Sequence, residues 1–388
     1  MTLALACALF SGSPSFAQSA SLVGGEVLES ANRKDPSDFE RARHHFDHHQ
    51  YAAALELFDA WVQGPAAGDG AAGDRKALMQ VEAEFRAALC AMYLYHKDAV
   101  WRIDRFIERH PESTWVPKLQ WALANYEYRR RKWGKSIDSF DALNPRRLSK
   151  SMRTEYHFKR GHARFETGDL EGARGDLLRV KEDPAAQPEF LEASEYYLAH
   201  IAFAEDRLTT ALEAFEALSA IDAFKDAVPL YIGQILYRLQ RFDEFAARAP
   251  EWLSEERDLA KGDRNELTRM LGEVLFHLGD CTSASPYLES AWSNADPQER
   301  TPGFSYIVGT CRLANGNPGT AITALMRATG GGSALDQYAT HAMGRAYLEL
   351  DEKPKAQSAF EKAATMDHDL EVREDALFNQ AKLAFETD

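Results

Sequence analysis

Leu335 to Met366 reads LDQYATHAMGRAYLELDEKPKAQSAFEKAATM, and this stretch decides the fold. Counted from Gln337 as position 1, Gly344, Tyr347, Ala356, Phe360 and Ala363 fall at positions 8, 11, 20, 24 and 27 of one two-helix unit. The small residue at position 8 has a physical reason. Where the first helix (A) crosses the second (B), the backbones approach closely, and a side chain larger than a methyl group forces them apart.

The same small residue returns along the chain at Ala42, Ala87, Ala124, Gly161, Ala199, Gly233, Gly272, Gly309, Gly344 and Ala381. By subtraction, the steps between them are 45, 37, 37, 38, 34, 39, 37, 35 and 37 residues, so only the first is anomalous. Twelve residues beyond the small residue, helix B presents a second small side chain, with apolar ones four and seven further on. Ala173/Leu177/Val180, Ala211/Phe215/Leu218, Ala284/Leu288/Ala291 and Ala321/Leu325/Ala328 comply. This is the spacing of a tetratricopeptide repeat. It predicts an all-α fold, an α-α superhelix or TPR-like solenoid of about nine helix pairs plus a final single helix.

A solenoid grows along one axis, so 388 residues need no division into ordinary domains. The composition, 45% hydrophobic and 27% charged, is that of a folded, soluble chain. A net charge of −15 argues against a nucleic-acid partner, because phosphate binding needs a basic face. No GxSxG, P-loop, HExxH or CxxC is present, so the reading is non-enzymatic, with no cofactor and no metal. His44, His45, His48 and His49 form two i, i+4 pairs that suit a transition metal, yet no Cys or tight carboxylate cluster joins them, and a polar face on the terminal repeat is expected instead.

Residues 1–17 read as a signal peptide: Leu3 to Phe10 is apolar, and Ser15-Phe16-Ala17 offers small residues at −3 and −1. A basic n-region is missing, which places the expected start codon upstream, and Ala4-Leu5-Ala6-Cys7 is a poor lipidation site. Export to the periplasm, with peripheral or outer-membrane association, is the expectation. No later apolar run approaches the ~18 residues of a membrane span. Residues 18–35 read as a flexible lead-in, 36–240 as an N-terminal array, 241–262 as an irregular repeat or kink broken at Pro250, and 263–388 as a C-terminal array. Gly64 to Asp74 (GPAAGDGAAGD) is expected as a loop that accounts for the long first step. Gly168, Gly279 and Gly316 are expected in positive φ at the A-to-B turns. Cys281 and Cys311 are expected as two small buried residues at a helix interface, with a bridge as the alternative.

Residues on helices A at positions 5, 9 and 12 are expected to look into the concave groove. Trp121, Phe158 and Tyr196 at position 5, with Tyr128, Phe165, Phe203 and Tyr237 at position 12, flank a polar ladder of Asn125, His162, His200 and Gln234 at position 9. Polar groups beside rings suit an extended peptide or a partner helix. An envelope polymer such as peptidoglycan or polysaccharide is the second reading, and a spacer within a longer protein is the third. Arg129-Arg130-Arg131-Lys132, with Arg146, Arg147 and Lys150, makes a basic corner suited to an acidic partner or lipid head groups.

Glu195 to Phe203, Val228 to Ile232 and above all Arg373 to Glu386 (REDALFNQAKLAFE) resemble the large exported tetratricopeptide-repeat proteins of Gram-negative cell envelopes. The likeness covers about half the chain. It implies that the array continues beyond Glu371 to Glu386, a helix A without its helix B, so that this chain is an N-terminal piece.

Overall fold

The computed structural model describes residues 36–64 and 71–387. The signal segment, Cys7, the lead-in and residues 65–70 of the expected loop lie outside the described residues.

Among the described residues there are nineteen α-helices and no strand. They follow one another as α1 Pro36–Asp47, α2 Tyr51–Val62, α3 Ala71–Tyr93, α4 Ala99–Arg109, α5 Val116–Arg129, α6 Trp133–Asp141, α7 Lys150–Glu166, α8 Leu170–Lys181, α9 Pro188–Ala204 and α10 Leu208–Ser219. The series continues with α11 Pro229–Arg238, α12 Phe242–Trp252, α13 Lys261–His277, α14 Cys281–Asn294, α15 Pro302–Ala314, α16 Pro318–Leu325, α17 Ala334–Glu349, α18 Lys353–Ala364 and α19 Leu370–Thr387. Odd-numbered helices are the A helices and even-numbered ones the B helices, giving nine pairs and a last single helix. The expected loop is shorter than read: Ala71 to Asp74 already belong to α3, and these extra turns account for part of the long first step.

The chain divides into two compact units, residues up to Ile201 and residues from Ala202. In each, an A helix packs on its own B helix and on the A helix of a neighbouring pair. Position 8 governs the approach. A Cβ added to Gly344 would stand 2.8 Å from the Phe360 ring, and one at Gly309 would stand 2.6 Å from Leu325 Cγ and 3.1 Å from its backbone nitrogen. Where alanine holds the position instead, as Ala42 and Ala124 do, it is fully buried in a cluster with Phe58 or Phe140.

Each A helix that a B helix follows, the odd-numbered helices from α1 to α17, is stopped by one left-handed residue. Gly168, Gly279 and Gly316 adopt φ of +84°, +82° and +73°, as expected for a residue without Cβ. Six other turns hold a side-chain-bearing residue there: His49, Tyr95, Arg131, Asp206, Gln240 and Asp351, with φ between 52° and 60°. The amide three residues past the helix then reaches back, as from Asp169 to the Arg164 carbonyl at 2.9 Å. Side-chain caps open several helices, among them Ser149 on the Met152 amide and Asp280 on the Ser283 amide.

Two expectations are corrected. Pro250 does not break its helix, since α12 runs through it to Trp252; the proline removes a single amide bond, the one that would reach the Ala246 carbonyl. Cys281 and Cys311 are not an unbridged pair but a disulfide, with Cα atoms 4.9 Å apart. The first residue of α14 abuts the last turn of α15, and Asn315 Nδ2 donates to the Cys281 carbonyl at 3.2 Å, which holds the two helix ends within bridging range. Cys90 is a buried free thiol, pushed up to about 12 by burial.

Candidate functional site

On the A-helix side of the first unit, α3, α5 and α7 enclose a cavity of about 210 Å3. Met92, Tyr93 and Tyr95 line it from the end of α3 and its turn, Trp121, Ala122, Asn125, Tyr126 and Arg129 from α5, and Glu155 from α7. Tyr93 and Tyr95 are 48% and 57% exposed, an unusual openness for two neighbouring rings. Tyr93 is nonetheless fixed, stacking on Tyr51 with centroids 4.5 Å apart, and Tyr95 lies 5.7 Å from the Tyr126 ring. The left-handed backbone at Tyr95 is what turns its ring onto this side.

The polar groups beside the rings are tied to one another. Asn125 Nδ2 donates to the Trp121 carbonyl at 2.9 Å, and its Oδ1 accepts from Lys159 Nζ at 2.5 Å. Lys159 also donates to Glu155 at 2.5 Å. Burial holds the Lys159 ammonium below the usual lysine range, with Glu155 opposing the shift. Arg129 is exposed at the rim, and Arg130 donates to the Tyr126 hydroxyl at 2.9 Å. The site therefore offers aromatic faces flanked by two cations and one carboxylate.

The sequence-derived set is only partly assembled here. Trp121 and Asn125 line the cavity. Tyr128 adjoins it through Lys159, whose Nζ stands 5.5 Å over the Tyr128 ring. Phe158 and Tyr196 are 2% and 4% exposed and belong to the core rather than to an open groove. His162 is 3% exposed, its Nδ1 2.5 Å from the Tyr128 hydroxyl and its Nε2 3.3 Å from Glu166. His200 is enclosed by Tyr196 and Phe165, with ring centroids at 4.4 Å and 6.2 Å, and burial pushes its imidazole down to about 4. Phe165 packs on Tyr197 at 5.1 Å. In the second unit, Phe203 lies under the Arg238 guanidinium at 5.4 Å, Gln234 is half-buried, and Tyr237 donates to the buried Glu273 at 3.4 Å. The ladder residues thus serve largely as seams between consecutive repeats.

Helix geometry explains the displacement. Positions 5 and 12 lie on α5 and α7 between the side that meets helix B and the side left open. Positions 2, 6 and 13, namely Glu155, Lys159 and Glu166 on α7, lie about 80° further round at 100° per residue. Tyr93, Tyr95 and Tyr126 carried no groove signal at positions 5, 9 or 12. Their clustering depends on how α3 ends.

The basic corner is exposed at Arg129, Arg130, Arg131, Arg146, Arg147 and Lys150, while Lys132 is drawn to the buried Glu127 at 3.6 Å. The four histidines of α1 and its turn are used locally: the His44 and His48 rings lie 4.0 Å apart, and His49 meets the Tyr51 hydroxyl at 2.7 Å. Among the described residues, no group of three or more His, Cys, Asp or Glu is placed to hold a metal ion, and no helix is long and apolar enough to cross a membrane.

No protein-family profile matches the chain, and no curated protein matches it. Among solved structures it is similar to YrrB, a TPR protein with an unusual peptide-binding site, at 19% identity over 52% of this chain and 96% of that one, with a TM-score of 0.42. It is also similar to the C-terminal part of a TPR repeat-containing protein from Cytophaga hutchinsonii (12% identity, 67% and 98% covered, TM-score 0.44) and to a tetratricopeptide repeat protein from Parabacteroides merdae (12%, 89% and 98%, TM-score 0.35). These are likenesses of repeat type at low identity. They carry no argument about a ligand.

Proposed function

We propose that this chain is a non-catalytic interaction scaffold that binds an extended peptide or partner helix on the A-helix side of its first unit. The observation that carries the reading is the cavity in which Tyr93, Tyr95 and Trp121 stand beside Asn125, Arg129 and Glu155. Rings of this kind receive an apolar or aromatic side chain at low entropic cost, and the flanking amide and charges pair with its backbone or with an acidic neighbour. The preferred ligand is accordingly a segment with one large apolar anchor next to an acidic residue, meeting Arg129.

Export to the cell envelope belongs to the same proposal. It is supported by the apolar start of the sequence and by the Cys281–Cys311 bridge, since disulfides persist chiefly in oxidising compartments. A second reading, binding of an envelope polysaccharide, draws on Trp101, which is 56% exposed beside Asp59 and Glu84 at a cavity of about 350 Å3. Arg105 covers one face of that indole at 4.9 Å, which leaves a single face for a sugar ring.

Selection of a displayed peptide library on the purified chain tests the leading reading, with each enriched peptide titrated against wild type, Tyr95→Ser, Arg129→Glu and Trp101→Ala. At least a tenfold loss with Tyr95→Ser and Arg129→Glu, and none with Trp101→Ala, is expected. Peptides that bind all four proteins equally would remove the site from consideration. Binding of soluble glycan lost only in Trp101→Ala would favour the second reading.

A further inference from the structure

The basic run expected as one corner is divided by α6. Arg129 to Lys132 form the turn that leads into α6, whereas Arg146, Arg147 and Lys150 follow its other end and lie on the opposite edge of the first unit. The first group is joined instead to the turn between α3 and α4. Tyr95 stands 5.7 Å from the Tyr126 ring, and the Arg130 guanidinium lies 5.2 Å over that same ring and donates to its hydroxyl at 2.9 Å. Tyr95 and Arg131 are the left-handed residues that stop α3 and α5, so the two turns stand side by side on one edge. Leu94 and Lys97 are thereby set beside Arg129, Arg130 and Arg131, and all of these side chains are exposed.

The cations of this edge have no counter-charge of their own. Among the described residues no carboxylate pairs with Lys97, Arg129, Arg130 or Arg131, whereas Arg238, at the corresponding end of α11, is matched by Asp206 at 2.6 Å. The acids nearest to them are already engaged: Asp98 accepts from Arg102 at 2.8 Å and meets His96, buried Glu127 holds Lys132 at 3.6 Å, and Glu155 accepts from Lys159 at 2.5 Å. At about 0.1 M salt a charge is felt over only about 10 Å, so the net charge of −15 spread over the whole chain does not cancel this local excess.

Placement and chemistry say which anion fits. Leu94, Lys97, Arg130 and Arg131 do not line the neighbouring cavity, and as turn residues they stand at the tips of their repeats, where a surface rather than an inserted segment meets them. Guanidinium groups pair with phosphate through two parallel N–H donors. Leu94, 41% exposed among the cations, supplies an apolar foot of the kind that enters the boundary between head groups and acyl chains. We propose that the edge formed by the α3–α4 and α5–α6 turns is a docking surface for an anionic lipid bilayer, with Arg130 and Arg131 on lipid phosphates and Leu94 at head-group depth. Of its four unmatched cations only Arg129 also lines the peptide cavity, so the two sites can be tested apart.

Cosedimentation of the full chain with vesicles reads the contact, using one-third phosphatidylglycerol in phosphatidylcholine against phosphatidylcholine alone, at about 0.1 M and about 0.5 M salt. Wild type is expected to bind the anionic vesicles at the lower salt and to leave them at the higher. Each cation beside such a surface is worth about a fivefold gain in binding, so Arg130→Glu with Arg131→Glu should lose at least about 25-fold. Arg146→Glu with Arg147→Glu makes the same change of charge on the opposite edge and should lose less than about threefold. Leu94→Ser should lose about fivefold. Helix content should be unchanged in all three, since every substituted side chain is exposed. A wild-type chain that ignores anionic vesicles, or binds neutral ones as well, overturns the proposal, as does an equal loss in the two double variants. Soluble polyglutamate held through Arg130 and Arg131 without vesicle binding would also overturn it and assign the edge to an acidic protein.

Discussion

Removing the carboxylate of Asp176 is expected to unfasten one repeat. Asp176 sits on α8, 2% exposed, and accepts from Arg160 Nε at 2.8 Å and Nη2 at 2.6 Å, from Arg164 Nη1 at 2.9 Å and from His157 Nδ1 at 2.9 Å. All three donors lie on α7, and Arg160 also reaches Asp141 at the end of α6 at 2.7 Å, so the cluster joins both helices of one pair to the pair before it. Asp176→Ala leaves Arg160, whose side chain is 12% exposed, with only the half-open Asp141 as counter-charge. Breaking a buried pair from one side costs about 3–5 kcal/mol, and the partial exposure of Arg164 points to the lower end. Against a typical stability of about 5–15 kcal/mol this is a large share. At a urea m-value of about 2 kcal/mol/M, the midpoint should fall by about 1.5 M, followed by circular dichroism. Asp138→Ala, an exposed carboxylate on α6, is the control and should change little. Arg160→Met combined with Asp176→Leu should recover most of the loss, because the uncompensated charge is gone. The pH dependence has a definite sign. Burial alone would raise the Asp176 carboxyl, but hydrogen bonds from His157 and Arg160 and the two guanidinium charges outweigh it and hold it below the usual range. Its contribution is thus fully present above a pH of about 4, the unfolded value, and is lost as the pH falls further. A loss under about 1 kcal/mol, or a double variant no more stable than Asp176→Ala, would refute the reasoning.

Four further outcomes are expected. Gly309→Val should destabilise the second unit by about 1–3 kcal/mol in thermal melts, since an added Cβ meets both the side chain and the backbone of Leu325. Asp351→Gly should raise stability by up to about 1 kcal/mol, because a φ of 57° is costly for a residue with a Cβ, and a drop in melting temperature would contradict this. Reducing Cys281–Cys311, which spans 30 residues, should cost the second unit about 3–4 kcal/mol and speed amide exchange in α14 and α15 while leaving α1 to α8 unchanged. His162→Ala should lower stability by about 1–3 kcal/mol, since it removes a buried imidazole that meets both the Tyr128 hydroxyl and Glu166, whereas Tyr95→Ser should leave the melting temperature within error and affect only peptide binding.

The repeat register was legible because it rests on sterics that act on one residue type at a time. Position 8 admits only Gly or Ala, and the count of nine pairs and a last helix follows from it. The turns were half legible. Gly168, Gly279 and Gly316 announce a left-handed residue, but Tyr95, Arg131 and Gln240 adopt the same backbone because the following helix B is held in place by its packing, and their residue types give no hint of it. The disulfide was open for a similar reason. Two cysteines 30 residues apart on adjacent antiparallel helices meet or miss according to where each helix ends, a matter of one turn that spacing alone does not resolve.

The site was less legible because the reading treated polar residues on helix A as groove-facing. In a stack of helix pairs the side of helix A that faces the next repeat is also polar where it crosses a seam. Tyr128 at position 12 meets His162 at position 9 of the next repeat, and Tyr237 meets Glu273 in the same way. Asn125 at position 9 meets Lys159 at position 6 of the next repeat, the same relation one helical turn earlier. A half-buried hydroxyl meets a buried imidazole or carboxylate at these seams, and the buried group must find its partner within the stack, so a polar residue at position 9 is what seam formation itself selects. The proposed recognition surface is made of side chains left partly open beside these seams. At the end of α3 these are Tyr93 and Tyr95, which a left-handed turn lifts out of the seam, and on α5 they are Trp121 and Arg129. A substitution at His162 or His200 is therefore expected to perturb the array itself, and substitutions at the exposed Tyr95 and Arg129 are the ones expected to separate binding from folding.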